Sequence, residues 1–169
     1  MSEQPVQLAQ WSGFFSITST ASATLLGLLF VVITIAPALG PKLKAKSRFY
    51  LTPAVIYLTS VLIMSAVLAI PTQTRRSAVI CIFVMASGGL FYSGSLVMLR
   101  GESYEKFSHR FRYAVVPFLG YVVLFGGGVL LRRYGAVGLD VIAAGMLTLI
   151  NLAIRNTWAI AVAIVGSHD

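Results

Sequence analysis

Acidic residues are almost missing from this chain: five Asp and Glu stand among 169 residues, against thirteen Lys and Arg, with two His and one Cys. Charged residues amount to 11%, where a soluble domain carries roughly 25%. A surface built from such a sequence could not be kept wet, which excludes a soluble enzyme and a free nucleic-acid binder. The lone Cys81 sits within an apolar run, so the chain has no intramolecular disulfide and no thiolate cluster for a metal. Phosphate loops, dinucleotide fingerprints and metal-ligand spacings are missing as well. No Lys or Arg precedes Trp11, so the basic start of a secretory signal is lacking. Ala36-Pro37-Ala38 mimics a small-residue cleavage site, but the apolar stretch before it is too long for a signal core. That first segment reads as a membrane anchor.

What fills the chain instead is apolar: 57% of residues, with a mean hydropathy of +0.86. Five apolar runs, at 13–36, 50–70, 77–99, 113–131 and 141–165, are each long enough to cross a hydrocarbon core of ~30 Å as a helix rising ~1.5 Å per residue. The fold class is therefore an all-α integral membrane protein with five transmembrane helices. Pro37 and Pro41 close the first run, Pro53 belongs in the first turn of the second, Pro71 ends it, and Asp140 can cap the fifth. Trp11, Tyr50, Tyr113 and Tyr134 fall at run ends, where a ring with a polar tip suits the headgroup layer. A competing layout ends the fifth crossing near Ile154 and lays 156–165 on the membrane surface, but that stretch has no polar face for an interfacial helix. The longest connection, 100–112, is too short to fold separately, so residues 1–169 read as one domain.

Loop charge sets an orientation. Lys42, Lys44, Lys46, Arg48, Arg100, Lys106, Arg110 and Arg112 fall on one side, and Arg75, Arg76, Arg132 and Arg133 on the other. The positive-inside rule then puts the N-terminus outside and the C-terminus in the cytoplasm. The net charge of +8 reads as topology and attraction for anionic lipid at the basic cytoplasmic loops, with no nucleic acid as partner.

Chemistry is thin. Glu102, Glu105 and His109 lie in a loop and Asp140 at a helix start, whereas proton relays and intramembrane hydrolysis place such groups inside the bundle. Ser93, within Tyr92-Ser93-Gly94-Ser95, has no histidine in any run to activate it, and a small-residue helix contact explains it better. Without such a histidine, haem and quinone sites lack support as well, so no cofactor, no metal and no enzyme activity is expected.

The first run carries the clearest pattern. At 100° per residue, Ser12, Ser16, Ser19, Thr20, Ala23, Gly27, Phe30 and Thr34 share an arc about 100° wide, while Phe14, Ile17, Leu25, Leu28, Leu29, Val32 and Ile33 occupy the rest, as if for lipid. Small hydroxylated faces serve close helix packing. They also line pores, where hydroxyls replace hydration and a bulky Phe30 makes an apolar constriction. Glycines recur in Gly88-Gly89, Gly94, Gly120 and Gly126-Gly127-Gly128, with packing as the default and a flexible point as the alternative for the last run.

Arg155 is the one charge inside a run, with Thr148 and Asn151 on its helical face and Asn156 beside it. An intramembrane arginine costs about 2.5–3.5 kcal/mol on insertion scales. Either it snorkels to the inner headgroups, or it meets carbonyls, hydroxyls, the Phe30 ring or a bound anion.

Two stretches, Ala21-Ser22-Ala23-Thr24-Leu25-Leu26-Gly27-Leu28-Leu29-Phe30-Val31 and Arg155-Asn156-Thr157-Trp158, resemble segments of small bacterial multi-pass inner-membrane proteins. That group commonly carries Arg-Asn-Ala-Trp-Asp at the second place, and Thr157 and Ala159 depart from it. The resemblance implies a bacterial inner-membrane location and brings no activity with it.

Two functions follow as expectations. One is a homo-oligomeric pore or channel for a small solute, lined by the first run, with anions favoured because Arg155 lies within a run and no acid does. The other is a non-transporting scaffold or accessory subunit that binds another membrane protein or anionic lipid.

Overall fold

A computed structural model describes residues 8–35, 41–98 and 107–165. Among them every regular element is helical. The helices are α1 (Ser12–Ile35), α2 (Pro41–Leu68), α3 (Arg75–Met98), α4 (Phe107–Tyr134) and α5 (Ala136–Val165). All five are long and apolar enough to cross a membrane, over Ser12–Thr34, Tyr50–Leu68, Arg75–Ser95, Val115–Tyr134 and Ala136–Val162.

Several helix ends differ from the sequence reading, each for a local reason. Pro41 does not close the first crossing; it opens α2, where its fixed φ and missing N–H suit a first helical position. Pro53 consequently lies inside α2 and not in its first turn, and Pro117 lies inside α4. Such prolines are tolerated in membrane helices because neighbouring groups re-satisfy the freed backbone. Helix α4 begins at Phe107, so half of the expected 100–112 connection is helical. Positions Pro37, Arg100, Glu102, Glu105 and Lys106 lie outside the described residues.

The largest departure is between the last two helices. A loop was expected across 132–140, with Asp140 as cap, yet α4 runs to Tyr134 and α5 starts at Ala136. The whole turn is Gly135, whose φ of 60° suits a residue without a Cβ. Gly138 completes the hairpin: its N–H donates to the Gly135 carbonyl at 3.0 Å, and a Cβ there would overlap the Leu131 backbone. Asp140 thus sits one turn inside α5 and is exposed. The Leu131 carbonyl, among the last of α4 without a helical partner, accepts from the Arg75 guanidinium, through Nε at 2.6 Å and also through Nη2. Helix α5 continues unbroken to Val165, which removes the layout with 156–165 on the membrane surface.

Helices α2, α3, α4 and α5 form a closed ring in which each packs on its chain neighbour and α5 returns to α2. Helix α1 packs chiefly on α2, outside the ring. Only 17% of its apolar span is buried, against 44% for those of α2 and α5, so α1 is the peripheral helix. Tyr57, Met64, Ile82, Tyr121, Leu124, Ile142 and Met146 fill the ring's centre and are fully buried. Apolar side chains also cover the outside, with Phe91, Trp158 and Ile17 each at least 70% exposed, as a bilayer solvent requires.

Candidate functional site

Helix α1 meets α2 through Phe15, Thr18, Ser22 and Leu29, all buried. This ridge, not the small-residue arc, is its packing face. The Thr18 and Ser65 hydroxyls lie 2.9 Å apart, and Ser65 reaches the Met146 sulfur at 3.7 Å, tying α1, α2 and α5 together. Leu29, assigned to lipid by its place on the helix wheel, is 1% exposed. Phe14, Leu25 and Val32 are half-buried, while Ile17, Leu28 and Ile33 do face outward.

The small-residue arc points elsewhere. Ser16, Thr20, Ala23, Gly27, Phe30 and Thr34 are exposed and Ser12 and Ser19 half-buried, about 130° round the helix from the ridge on α2. A Cβ on Gly27 would meet nothing within 4 Å. The threonine hydroxyls on and beside the arc are bonded to their own helix: Thr20 donates to the Ser16 carbonyl at 2.9 Å, Thr24 to Thr20 at 2.9 Å and Thr34 to Val31 at 2.8 Å. Those threonines need no further acceptor for their protons, yet each oxygen still presents lone pairs to whatever faces α1.

Arg155, Asn151 and Thr148 share an exposed face of α5, with the Thr148 hydroxyl donating to the Ala144 carbonyl at 2.8 Å. Arg155 makes no hydrogen bond, ion pair or ring contact with a described residue, so neither Phe30 nor a carbonyl occupies it. Its neighbour Asn156 is buried. The arc on α1 and the face on α5 are not brought together within one copy. Where the two helices approach, a groove is lined by Leu25, Leu28 and Val32 on one side and Ile154, Trp158 and Ala161 on the other.

A further polar constellation lies inside the ring, and Ser93 is the one polar member of it that the sequence pattern singles out. Ser60 donates to the Ile56 carbonyl at 2.8 Å and lies 3.0 Å from the Tyr121 hydroxyl. Since the serine's single proton is used, Tyr121 donates to Ser60. The Tyr57 and Tyr121 rings meet edge-on with centroids 6.3 Å apart. Tyr121 lies over Gly89, where any Cβ would overlap its ring. Ser93 is fully buried, and its Oγ has no hydrogen-bond partner among the described residues. The available signal was polar residues inside apolar runs, which turn toward the bundle.

Compared with protein-family models, curated proteins and solved structures, the chain matches none of them.

Proposed function

We propose that the chain works as a homo-oligomer in a bacterial inner membrane, with the outward face of α1 lining a pathway for a small solute, anions favoured over cations. The observation that carries this reading is the position of that face. Ser16, Thr20, Ala23, Gly27 and Thr34 are spent on no contact inside the bundle, although lipid rewards neither hydroxyls nor glycine. A pathway through one copy finds no room, because large side chains fill the ring. Copies meeting on α1 would surround an axis with hydroxyl oxygens and place Phe30, 57% exposed, as its apolar constriction. The positive-inside rule directs the N-terminus outward and the end of the bundle carrying Lys42 to Arg48 toward the cytoplasm. Anion preference rests on Arg155; the one described acid, Asp140, lies about 22 Å from it along α5. The groove on α5 lies across α1 from that face, so in a ring of copies Arg155 stands behind α1 and acts on the pathway through its field, not as a lining group.

A second reading, a scaffold or accessory subunit, draws on the same hydroxyls. The threonines among them, bonded to their own helix, suit a dry contact with another membrane protein as well as a wet one. Native mass spectrometry and liposome conductance separate the two. A defined oligomer whose reversal potential follows chloride, with Arg155→Gln weakening that preference, supports the channel. A potential that follows the cation removes the selectivity, an oligomer without conductance favours the scaffold, and monomers alone remove the channel.

A further inference from the structure

We infer that the groove between α1 and α5 holds an acyl chain of an anionic phospholipid whose phosphate meets Arg155. The groove encloses about 190 Å³. Thr157 lines it, but its hydroxyl donates to the Ala153 carbonyl at 2.9 Å, and the other lining residues are apolar. A polar solute entering would lose hydration without compensation, whereas a hydrocarbon chain would not. Leu28 and Val32 lie toward the end of α1, Trp158 and Ala161 toward the end of α5. Helix α2 starts from that same end of the bundle, with Lys42, Lys44, Lys46 and Arg48 in its first turns. The groove therefore runs through the bilayer half that adjoins the basic end, and a chain lying in it descends from a headgroup among cations.

Arg155 supplies the second half of the fit. It lies three residues before Trp158 on the groove's rim, about 60° round α5, which makes the two side chains surface neighbours. It is exposed at membrane depth with no acid or hydrogen-bond acceptor of the described chain upon it. A cation so placed calls for an anion that the bilayer itself can bring, and a lipid phosphodiester joined to an acyl chain matches both the charge and the slot. Copies meeting on the small-residue arc of α1 would leave the groove open, because it lies on another side of that helix. An Arg155 held by a lipid phosphate, however, adds nothing to the anion preference of a pathway, so the two roles of Arg155 exclude each other.

Trp158 lines the groove and is 70% exposed, and the only other tryptophan of the chain's two is Trp11. A Trp11→Phe background leaves Trp158 as the sole reporter. Reconstituted with acyl-brominated phosphatidylglycerol, it should reach half-maximal quenching at about fivefold lower mole fraction than with brominated phosphatidylcholine, the ratio that ~1 kcal/mol for one cation gives. Arg155→Gln should bring the two lipids level, and Arg155→Lys should keep them apart. Ala161→Phe, which fills the groove, should lower quenching by both. Equal quenching in the parent protein, a preference that survives Arg155→Gln, or no change in Ala161→Phe would overturn the inference. So would quenching that is weak for both lipids until the protein is diluted to monomers, because a second copy would then cover the groove.

Discussion

Alanine at Gly126, Gly127 and Gly128 of α4 and at Gly138 in the first turn of α5 separates packing from flexibility residue by residue. Every Gly→Ala change inside a helix gains about 1 kcal/mol of backbone propensity, so differences among positions report what the new Cβ meets. At Gly126 it meets nothing within 4 Å, and the variant should be more stable by about that amount. At Gly128 it would lie 3.1 Å from the Ile82 Cγ2 and the Phe83 Cε1. Both are outlying side-chain atoms that can yield, so gain and cost should nearly cancel. At Gly127 it would lie 2.8 Å from the Ile142 side chain and 3.1 Å from its backbone nitrogen. A typical overpacking cost of 1–3 kcal/mol then exceeds the gain. At Gly138 it would overlap the Leu131 backbone, which cannot rotate away, so a net loss of about 2 kcal/mol or more is expected. Reversible unfolding in mixed detergent micelles, followed by far-ultraviolet circular dichroism, gives the order Gly126→Ala, Gly128→Ala, Gly127→Ala, Gly138→Ala from most to least stable. Were the three-glycine run a flexible point, all three alanines would stiffen it alike. Equal stabilities at 126 and 127, or a stabilised Gly138→Ala, would refute the packing account.

Tyr121→Phe removes the hydroxyl that bonds Ser60 but keeps the ring over Gly89; it should cost about 0.6 kcal/mol and at most ~1.7, as for other hydrogen bonds between membrane helices. The same unfolding titration measures it, and a larger loss would mean that the hydroxyl serves more than that bond. Gly27→Leu, facing open space, should stabilise the single copy by somewhat under ~1 kcal/mol through helix propensity and yet reduce self-association in native mass spectrometry; unaltered assembly would take α1 out of the interface. Phe30→Ser should raise leak in liposomes by wetting the constriction, and unchanged flux would remove Phe30 as the narrow point.

The crossings were legible because hydrocarbon thickness imposes a length on each helix, and a run of apolar residues shows that length directly. Their ends were less so, since nothing in a membrane helix must stop at the headgroup layer. Helices α2 and α4 each begin several residues before their apolar spans, continuing through basic turns that water can solvate. The turn at Gly135 had a signal in Tyr134-Gly135, a glycine just past a helix whose last turn holds Arg132 and Arg133. Asp140 competed with it as a cap because the apolar count alone put the start of the fifth crossing there.

Faces were harder than spans, and α1 shows why. In water the buried side of a helix is the apolar side, so the wheel separates inside from outside. In lipid both sides are apolar, and the inner one is set by fit and by hydrogen bonds that cross between helices. Thr18 and Ser22, not the larger small-residue arc, are the polar residues that α1 turns to the bundle, and Thr18 is held there by Ser65, a residue 47 positions away. No wheel drawn on α1 alone contains that partner. The arc itself was legible as a pattern, and its direction was not. Because it faces away from α2, its hydroxyls and Gly27 make no contact inside the bundle, and that is the observation on which both proposed functions draw.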